Sequence, residues 1–438
     1  MLLVLVGICG KCIVKTYRLP NSPNMFVIVG KTIISLLCAG LAGGLIAFRA
    51  KIEKHLQNYD DRLVLLLAWV LTRLVPFVLI FVVFNQTPFS DLDGFFGQAR
   101  EAVQLKLVYR DFYCMYSPFF PYVNALGLWF WLDKKAIILV MILMEGGALW
   151  TTNRFYADTI SPSERLFRSL LYLLLPGSLV LCVLGGQEDV WMWLMFIGAY
   201  LVWQRTQRVE WFGVGLVVGF LFTKAVFILV GPALLFLVPK PIRWISAAAV
   251  AGLVSLAVLY HTTEWLWLEQ PMNEAATLRA PNWLSVANPL TFDVLGAGAK
   301  RWNWVGLLLT TGLGTILAYR LRQQPFPRAF SAVYIVIYGT MMIAQQSAYS
   351  NYIFLFLLPY VFQWLNFSNR KEVGLFLLFN CLCVIHPSLW WRLKSPYYHT
   401  ISEVFTQPIY ILDYILQLGI VLLTFYFLRQ VWQKATDF

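Results

Sequence analysis

Charge is what this 438-residue chain has least of: only 13% of its residues are Asp, Glu, Lys or Arg, against about 25% in soluble domains. That scarcity excludes an ordinary soluble enzyme, and it excludes a disordered chain, which needs high polarity. Cysteine is too sparse for a disulfide scaffold. The 7 cysteines stand at 9, 12, 38, 114, 182, 381 and 383, mostly inside apolar runs, where a thiol behaves as a small hydrophobe. Cys9 and Cys12 form one C-x-x-C, but zinc would need a second pair or a nearby His. The 28 Gly and 20 Pro follow no period, which excludes a collagen-like chain, and neither an internal repeat nor a low-complexity tract is present. Residues 1–9 are apolar without a basic segment before them or a small-residue cleavage site after them, so they read as an interfacial helix and not as a signal peptide.

What the chain has instead is apolar and aromatic bulk: 59% hydrophobic residues, with 33 Phe, 21 Tyr and 18 Trp. Several uncharged runs approach the roughly 20 residues of a bilayer-spanning helix. The expectation is an all-α polytopic membrane protein with about 11 to 13 crossings. The formal charge of +12 then records topology, and no nucleic-acid partner is expected. Spans are predicted at 25–48 and 63–84, with Arg49, Lys51 and Lys54 holding the loop between them in the cytoplasm. Arg205 with Arg208, Lys240 with Arg243, Arg320 with Arg322 and Arg328, Arg370 with Lys371, and Arg429 with Lys434 fall on that same side. The loops at 85–116, 186–189, 261–301, 345–351 and 386–407 then lie outside, against the sign of Arg392 and Lys394. Three apolar segments (117–132, 136–150 and 166–184) lie between two outside loops, so one of them must be re-entrant or interfacial. Broken half-helices are expected at Thr223-Lys224 and at proline sites. The chain divides into an N-terminal extension with its own span (1–62), a transmembrane module with the first outer loop 85–116 (63–260), an aromatic outer loop (261–301) and C-terminal helices (302–438).

The polar residues gather on the predicted outer face. Asp91-Leu-Asp93-Gly follows the second span and leads to Tyr109-Arg110-Asp111 and Tyr116-Ser117-Pro118-Phe119. Asp91 can take a proton from an attacking hydroxyl, and Asp91 with Asp93 could share a divalent cation, Mg2+ or Mn2+, as a hard ion prefers oxygen ligands. The competing reading is helix capping by Ser90 and Asp91 ahead of a helix over 92–107. Gly185-Gly186-Gln187-Glu188-Asp189 closes one apolar helix and opens another. Capping at a helix N-terminus accounts for Asp189 but not for Gln187 or Glu188. Lys224, inside Phe220-Leu-Phe-Thr-Lys224-Ala-Val-Phe, and Arg73, inside a span, are intramembrane cations that need partners. A phosphate is the expected partner of Lys224, with snorkelling as the plainer alternative. A carboxylate, exposed carbonyls or a phosphate would serve Arg73.

The 4 histidines are scattered as His55, His261, His386 and His399, without the spacing of a metal site. His261 or His386 could orient a phosphate or shuttle a proton. The outer loop carries Trp265, Trp267, Trp283, Trp302 and Trp304 with Arg279 and Arg301, which suits an interfacial belt or an aromatic wall for a sugar or lipid chain.

Taken in order, these residues resemble the GT-C superfamily, the integral-membrane glycosyltransferases that use polyprenyl-phosphate sugars. They are most similar to the bacterial polyprenyl-phosphate mannosyltransferase-like branch and the related GPI mannosyltransferase I. An Asp in the first outer loop (Asp91 or Asp93), an aromatic-Pro segment (Tyr116 to Phe119) and a Gly-Gln-x-Asp (Gly186 to Asp189) carry the resemblance. A Lys after the next hairpin (Lys224) and a Tyr-rich segment (Tyr349, Asn351, Tyr352) complete it. The chain departs from the pattern at Ser117, at Ala225 where the Lys is usually followed by Pro, and in its extra span at 25–48. The resemblance implies a GT-C-like bundle that transfers a sugar, mannose favoured, from a polyprenyl-phosphate donor to a lipid-linked or glycan acceptor, with inversion. Asp91 would be the general base, Asp93 would position the acceptor or a cation, and Glu188 and Asp189 would bind sugar hydroxyls. The donor would reach the site through the membrane lipids, with its phosphate near Lys224 or an outer-loop Arg such as Arg301. The implied setting is a bacterial inner membrane or the ER, with the site periplasmic or lumenal. Two other classes fit the composition: a transporter or lipid-linked glycan flippase, which uses intramembrane charges and broken helices, and a non-catalytic subunit of a polysaccharide assembly system.

Overall fold

The computed structural model describes residues 23–57, 59–88 and 91–437 of the chain. Cys9, Cys12, the apolar segment at 1–9 and Ser90 lie outside the described residues. Among those described, the fold is helical throughout, and the one strand-like contact is an isolated bridge between Val108 and Phe112. Among the described residues, seven helices are long and apolar enough to cross a membrane: Ile28–Ala47, Asp61–Val83, Lys134–Phe155, Pro241–Thr263, Phe326–Ala344, Arg370–Arg392 and Pro408–Thr436. The chain is an all-α integral membrane protein. The tally rises to 8 if the bent pair Pro162–Leu174 and Pro176–Leu184 is one span, below the number expected from apolar runs alone. The difference lies in helices such as Val209–Phe222 and Ala225–Leu237, which are apolar but short.

Local chemistry sets many of the helix ends. Asp60 accepts from the Arg62 amide, Asp133 from the Lys135 amide and Asn369 from the Glu372 amide, each satisfying a donor that the first turn leaves open. Proline opens the helices at Pro162, Pro176, Pro241 and Pro408, where its missing N–H costs nothing. Pro176 also makes the 63° bend after Leu174. The other expected break occurs at Thr223-Lys224, where extended backbone separates Val209–Phe222 from a 3-10 turn at Ala225–Val230. Helix Phe120–Phe130 has 11 residues, which at about 1.5 Å each is far short of a bilayer core of about 30 Å. Of the three apolar segments at 117–132, 136–150 and 166–184, the first is thus a short helix, the second lies in the long helix Lys134–Phe155 and the third is bent at Pro176.

The centre of the bundle is Phe326–Ala344, whose most apolar stretch is 83% buried, whereas the same measure for Pro241–Thr263 is 11%. Phe326, Phe330, Tyr334 and Tyr338 recur at four-residue spacing and so share a face. Trp193 stacks on Phe330 at 5.8 Å, and Phe196 packs on Tyr334 and stacks on Phe227 at 3.8 Å. The peripheral Pro241–Thr263 helix is anchored where a Cβ on Gly213 would stand 2.1 Å from the Trp244 carbonyl. Only glycine allows that approach.

Arg73 finds two of the three partners its position allowed. On a π-helical turn at Val70–Leu74 it is fully buried, and its Nε and Nη2 donate to the two carboxylate oxygens of Glu145, each at 2.7 Å. Its Nη1 donates to the Leu173 carbonyl at 3.0 Å and its Nη2 also to Ser178 Oγ at 3.0 Å. Both acceptors flank the Pro176 bend, where interrupted helix exposes polar groups. Glu145→Ala is expected to cost about 3–5 kcal/mol, since it strands a buried guanidinium, and Arg73→Met with Glu145→Leu should cost less than either single change. Thermal unfolding of the variants in detergent measures both.

Candidate functional site

The site is assembled from four interruptions in helical structure that meet at one end of the bundle. The first is the turn between Pro176–Leu184 and Val190–Thr206. Here Gly185 N–H donates to the Val180 carbonyl at 2.8 Å and Gln187 N–H to the Leu181 carbonyl at 2.9 Å. Gly186 has φ +59°, and a Cβ on it would lie 2.7 Å from the Leu92 side chain, so both conformation and space require glycine. The turn is thereby pressed against the helix Leu92–Val103 that Asp91 opens.

Asp91 is exposed, and its side chain makes no capping bond to that helix. Its Oδ2 instead accepts from Gln187 Nε2 at 3.0 Å, while Gln187 Oε1 accepts from Asn351 Nδ2 at 2.6 Å. Three residues far apart in sequence thus form one hydrogen-bonded chain. Asp189 likewise makes no capping bond. Lys224 Nζ stands 2.6 Å from Glu188 Oε1 and 2.6 Å from Asp189 Oδ1. The two carboxylates are almost fully buried, and the Lys224 side chain is 16% exposed. The ammonium also lies 5.3 Å from the ring centroids of Tyr116 and of Tyr352. Capping and snorkelling are both displaced by this ion triad: the protein partners of Lys224 are two carboxylates.

The aromatic-Pro segment is held by backbone bonds. Ser117 N–H donates to the Thr223 carbonyl at 3.4 Å and Phe119 N–H to the Leu221 carbonyl at 3.0 Å, so the segment docks on the broken end of Val209–Phe222. Tyr116 stacks on Phe120 at 4.3 Å. Tyr349 brings in a residue that the motif order did not single out: the Arg279 guanidinium lies 4.2 Å from its ring centroid, and Arg279 N–H donates to the Gln346 carbonyl at 2.9 Å. Gln270 was missed as well. Its Oε1 accepts from the Cys114 amide at 2.7 Å and its Nε2 donates to the Tyr109 carbonyl at 3.0 Å, which clasps the segment 261–301 to the segment 85–116. An uncharged glutamine beside Glu269 in a short helix of mixed polarity carried no signal that could have marked it. Beside this clasp, the Arg110 guanidinium and the Leu107 amide hold the exposed Asp111 carboxyl below the usual carboxylate range.

Other expected residues are placed elsewhere. Asp93 lies on the exposed face of its helix and pairs with Lys134, because positions i and i+2 diverge around a helix. Asp91 and Asp93 therefore do not fit a shared divalent cation. Arg301 donates to the Leu295 carbonyl at 3.0 Å and covers Trp302, which spends it on its own loop. His261 is exposed at the end of Pro241–Thr263, with no hydrogen bond to the residues above. His386 is buried against Asp413, Nε2 to Oδ1 3.3 Å, apart from the Asp91 chain. Glu188 Oε2, Asp189 Oδ2 and Asn351 Oδ1 are buried without a hydrogen-bond donor among the described residues, and such acceptors suit a ligand rich in hydroxyls.

No protein-family profile matches this chain, and no curated protein gives a significant match.

Lys224→Met leaves two buried carboxylates side by side without a cation. A loss of about 3–5 kcal/mol in stability is expected, largely relieved in Lys224→Arg, and thermal unfolding in detergent reads the difference.

Proposed function

We propose that the protein is a membrane glycosyltransferase. In this reading it transfers a sugar, mannose favoured, from a polyprenyl-phosphate donor to a hydroxyl of a lipid-linked or glycan acceptor on the periplasmic or lumenal side. The observation that carries the reading is the state of Asp91: exposed, held on one oxygen by Gln187, and without a capping bond. A carboxylate fixed on one side and open on the other is arranged to take a proton.

The chemistry is a single displacement. The acceptor O–H gives its proton to Asp91 while its oxygen bonds to the anomeric carbon. The bond from that carbon to the phosphate oxygen breaks, and the electron pair leaves with the polyprenyl phosphate, inverting the centre. Phosphate is a good leaving group, so a neighbouring cation replaces a strong acid. Lys224 does not serve as that cation here, because Glu188 and Asp189 already neutralise it. Its task is to brace the turn that carries Gln187. The open oxygens of Glu188 and Asp189 accept sugar hydroxyls, and the rings of Tyr349 and Tyr352 offer faces for a sugar to lie against.

The test is transfer by purified protein in lipid from a panel of radiolabelled polyprenyl-phosphate sugars to membrane acceptors. Asp91→Asn is expected to fold normally and to lose about 10²- to 10⁴-fold in rate, the contribution of a positioned base. Undiminished transfer by Asp91→Asn would remove the base. Transfer by neither protein would favour a transporter or a subunit role, and a lipid-flipping assay would follow.

A further inference from the structure

The first span belongs to no part of the resemblance, yet it carries a lysine, Lys31, in line with its buried positions. On Pro23–Ala47, Val29, Ile33, Leu36 and Leu37 are exposed, whereas Ser35, Cys38 and Ala42 are buried. The buried positions step by three and four residues, so they form one stripe along the helix. Lys31 stands four residues before Ser35 and continues that stripe by one turn, toward the end of the bundle that holds Asp91. The stripe faces Arg370–Arg392: the Ser35 carbonyl lies 3.6 Å from Cys381 Sγ, and a Cβ on Gly43 would lie 3.7 Å from Leu377. The same stretch of Arg370–Arg392 receives the site from its other side, since Ser350 Oγ donates to the Cys383 carbonyl at 3.0 Å. Asn351, the next residue, begins the hydrogen-bonded chain to Gln187 and Asp91.

Lys31 is therefore a basic residue on the inward stripe of a span, one turn beyond Ser35 toward the end of the bundle that holds the site. Among the described residues it makes no hydrogen bond or ion pair, and it is partly exposed. An ammonium at such a depth needs an anion. Snorkelling to bulk headgroups would point it out between Val29 and Ile33, on the face it does not share. The site itself contains three carboxylates, Asp91, Glu188 and Asp189, and its best-placed cation, Lys224, is consumed by two of them.

Resting on the glycosyltransferase reading, we propose that Lys31 of the N-terminal span receives the phosphate group of the lipid-linked substrate beside Asp91. The extra span is then a working part of the site, one that brings a counter-charge for the leaving phosphate.

Binding without turnover tests this. The full chain is reconstituted in phosphatidylcholine nanodiscs doped with undecaprenyl phosphate or, as control, undecaprenol, and lipid retained by the protein is titrated by native mass spectrometry. Wild type is expected to prefer the phosphate. Lys31→Gln should weaken phosphate binding about 10- to 100-fold, the worth of a charge-assisted hydrogen bond, without changing undecaprenol binding. Lys31→Arg should retain most of it, and Asp91→Asn should bind at least as tightly as wild type. If Lys31→Gln binds the phosphate as wild type does, the role of Lys31 is overturned while the enzyme reading stands. Equal weakness in Lys31→Arg and Lys31→Gln overturns a charge role in the same way. A wild type that does not distinguish the phosphate from the alcohol overturns both.

Discussion

The pairing of Lys224 with Glu188 and Asp189 is the constraint on which the site rests. An ammonium among apolar helices is costly unless paired, and each carboxylate is equally costly alone. Bringing the three together joins the turn at Gly185–Gly186 to the break after Thr223. The break is needed for the contact, because a continuous helix through Thr223 would carry Lys224 around its own axis. With the joint made, Tyr116 and Tyr352 close over the ammonium, and Gln187 projects toward Asp91. The catalytic carboxylate in the proposed reaction is thus positioned by charges that neither take the proton nor meet the leaving group.

Arg73 and Glu145 obey the same rule at another depth and to another end. Their pair is bidentate and closed, and the remaining guanidinium donors cap the groups exposed at the Pro176 bend. Nothing is left open for a ligand. The ion triad at Lys224 differs in leaving acceptor oxygens without donors among the described residues, and the proposed reaction uses that difference. In the proposed site, Lys31 of the first span supplies the complementary sign.

Much of the fold was legible in the chain because bilayer physics leaves few solutions. Runs of apolar residues with little charge are helices, since no other segment satisfies its own backbone in lipid. The breaks at Thr223-Lys224 and Pro176 were legible for the related reason that a buried charge or a missing N–H interrupts such a run. Glu188, Asp189, Lys224 and Asp91 could be singled out as polar residues at the ends of apolar segments. Asp93, Arg301 and His261 shared that description and are placed elsewhere, because proximity along the chain does not fix the face of a helix or the fold of a loop. Gln270, Glu145 and Asn351 take their meaning from partners more than 70 residues away, which a linear reading pairs only by chance.

By itself, then, the sequence determined that the protein lives in a membrane, that its helices are interrupted at definite points and that its polar groups collect near those points. These follow from the solvation cost of each residue taken singly. Only the tertiary structure decided which charges neutralise each other and which remain open. Pairing energy depends on distances of a few ångströms between elements whose separation in the chain sets no limit on their approach in space.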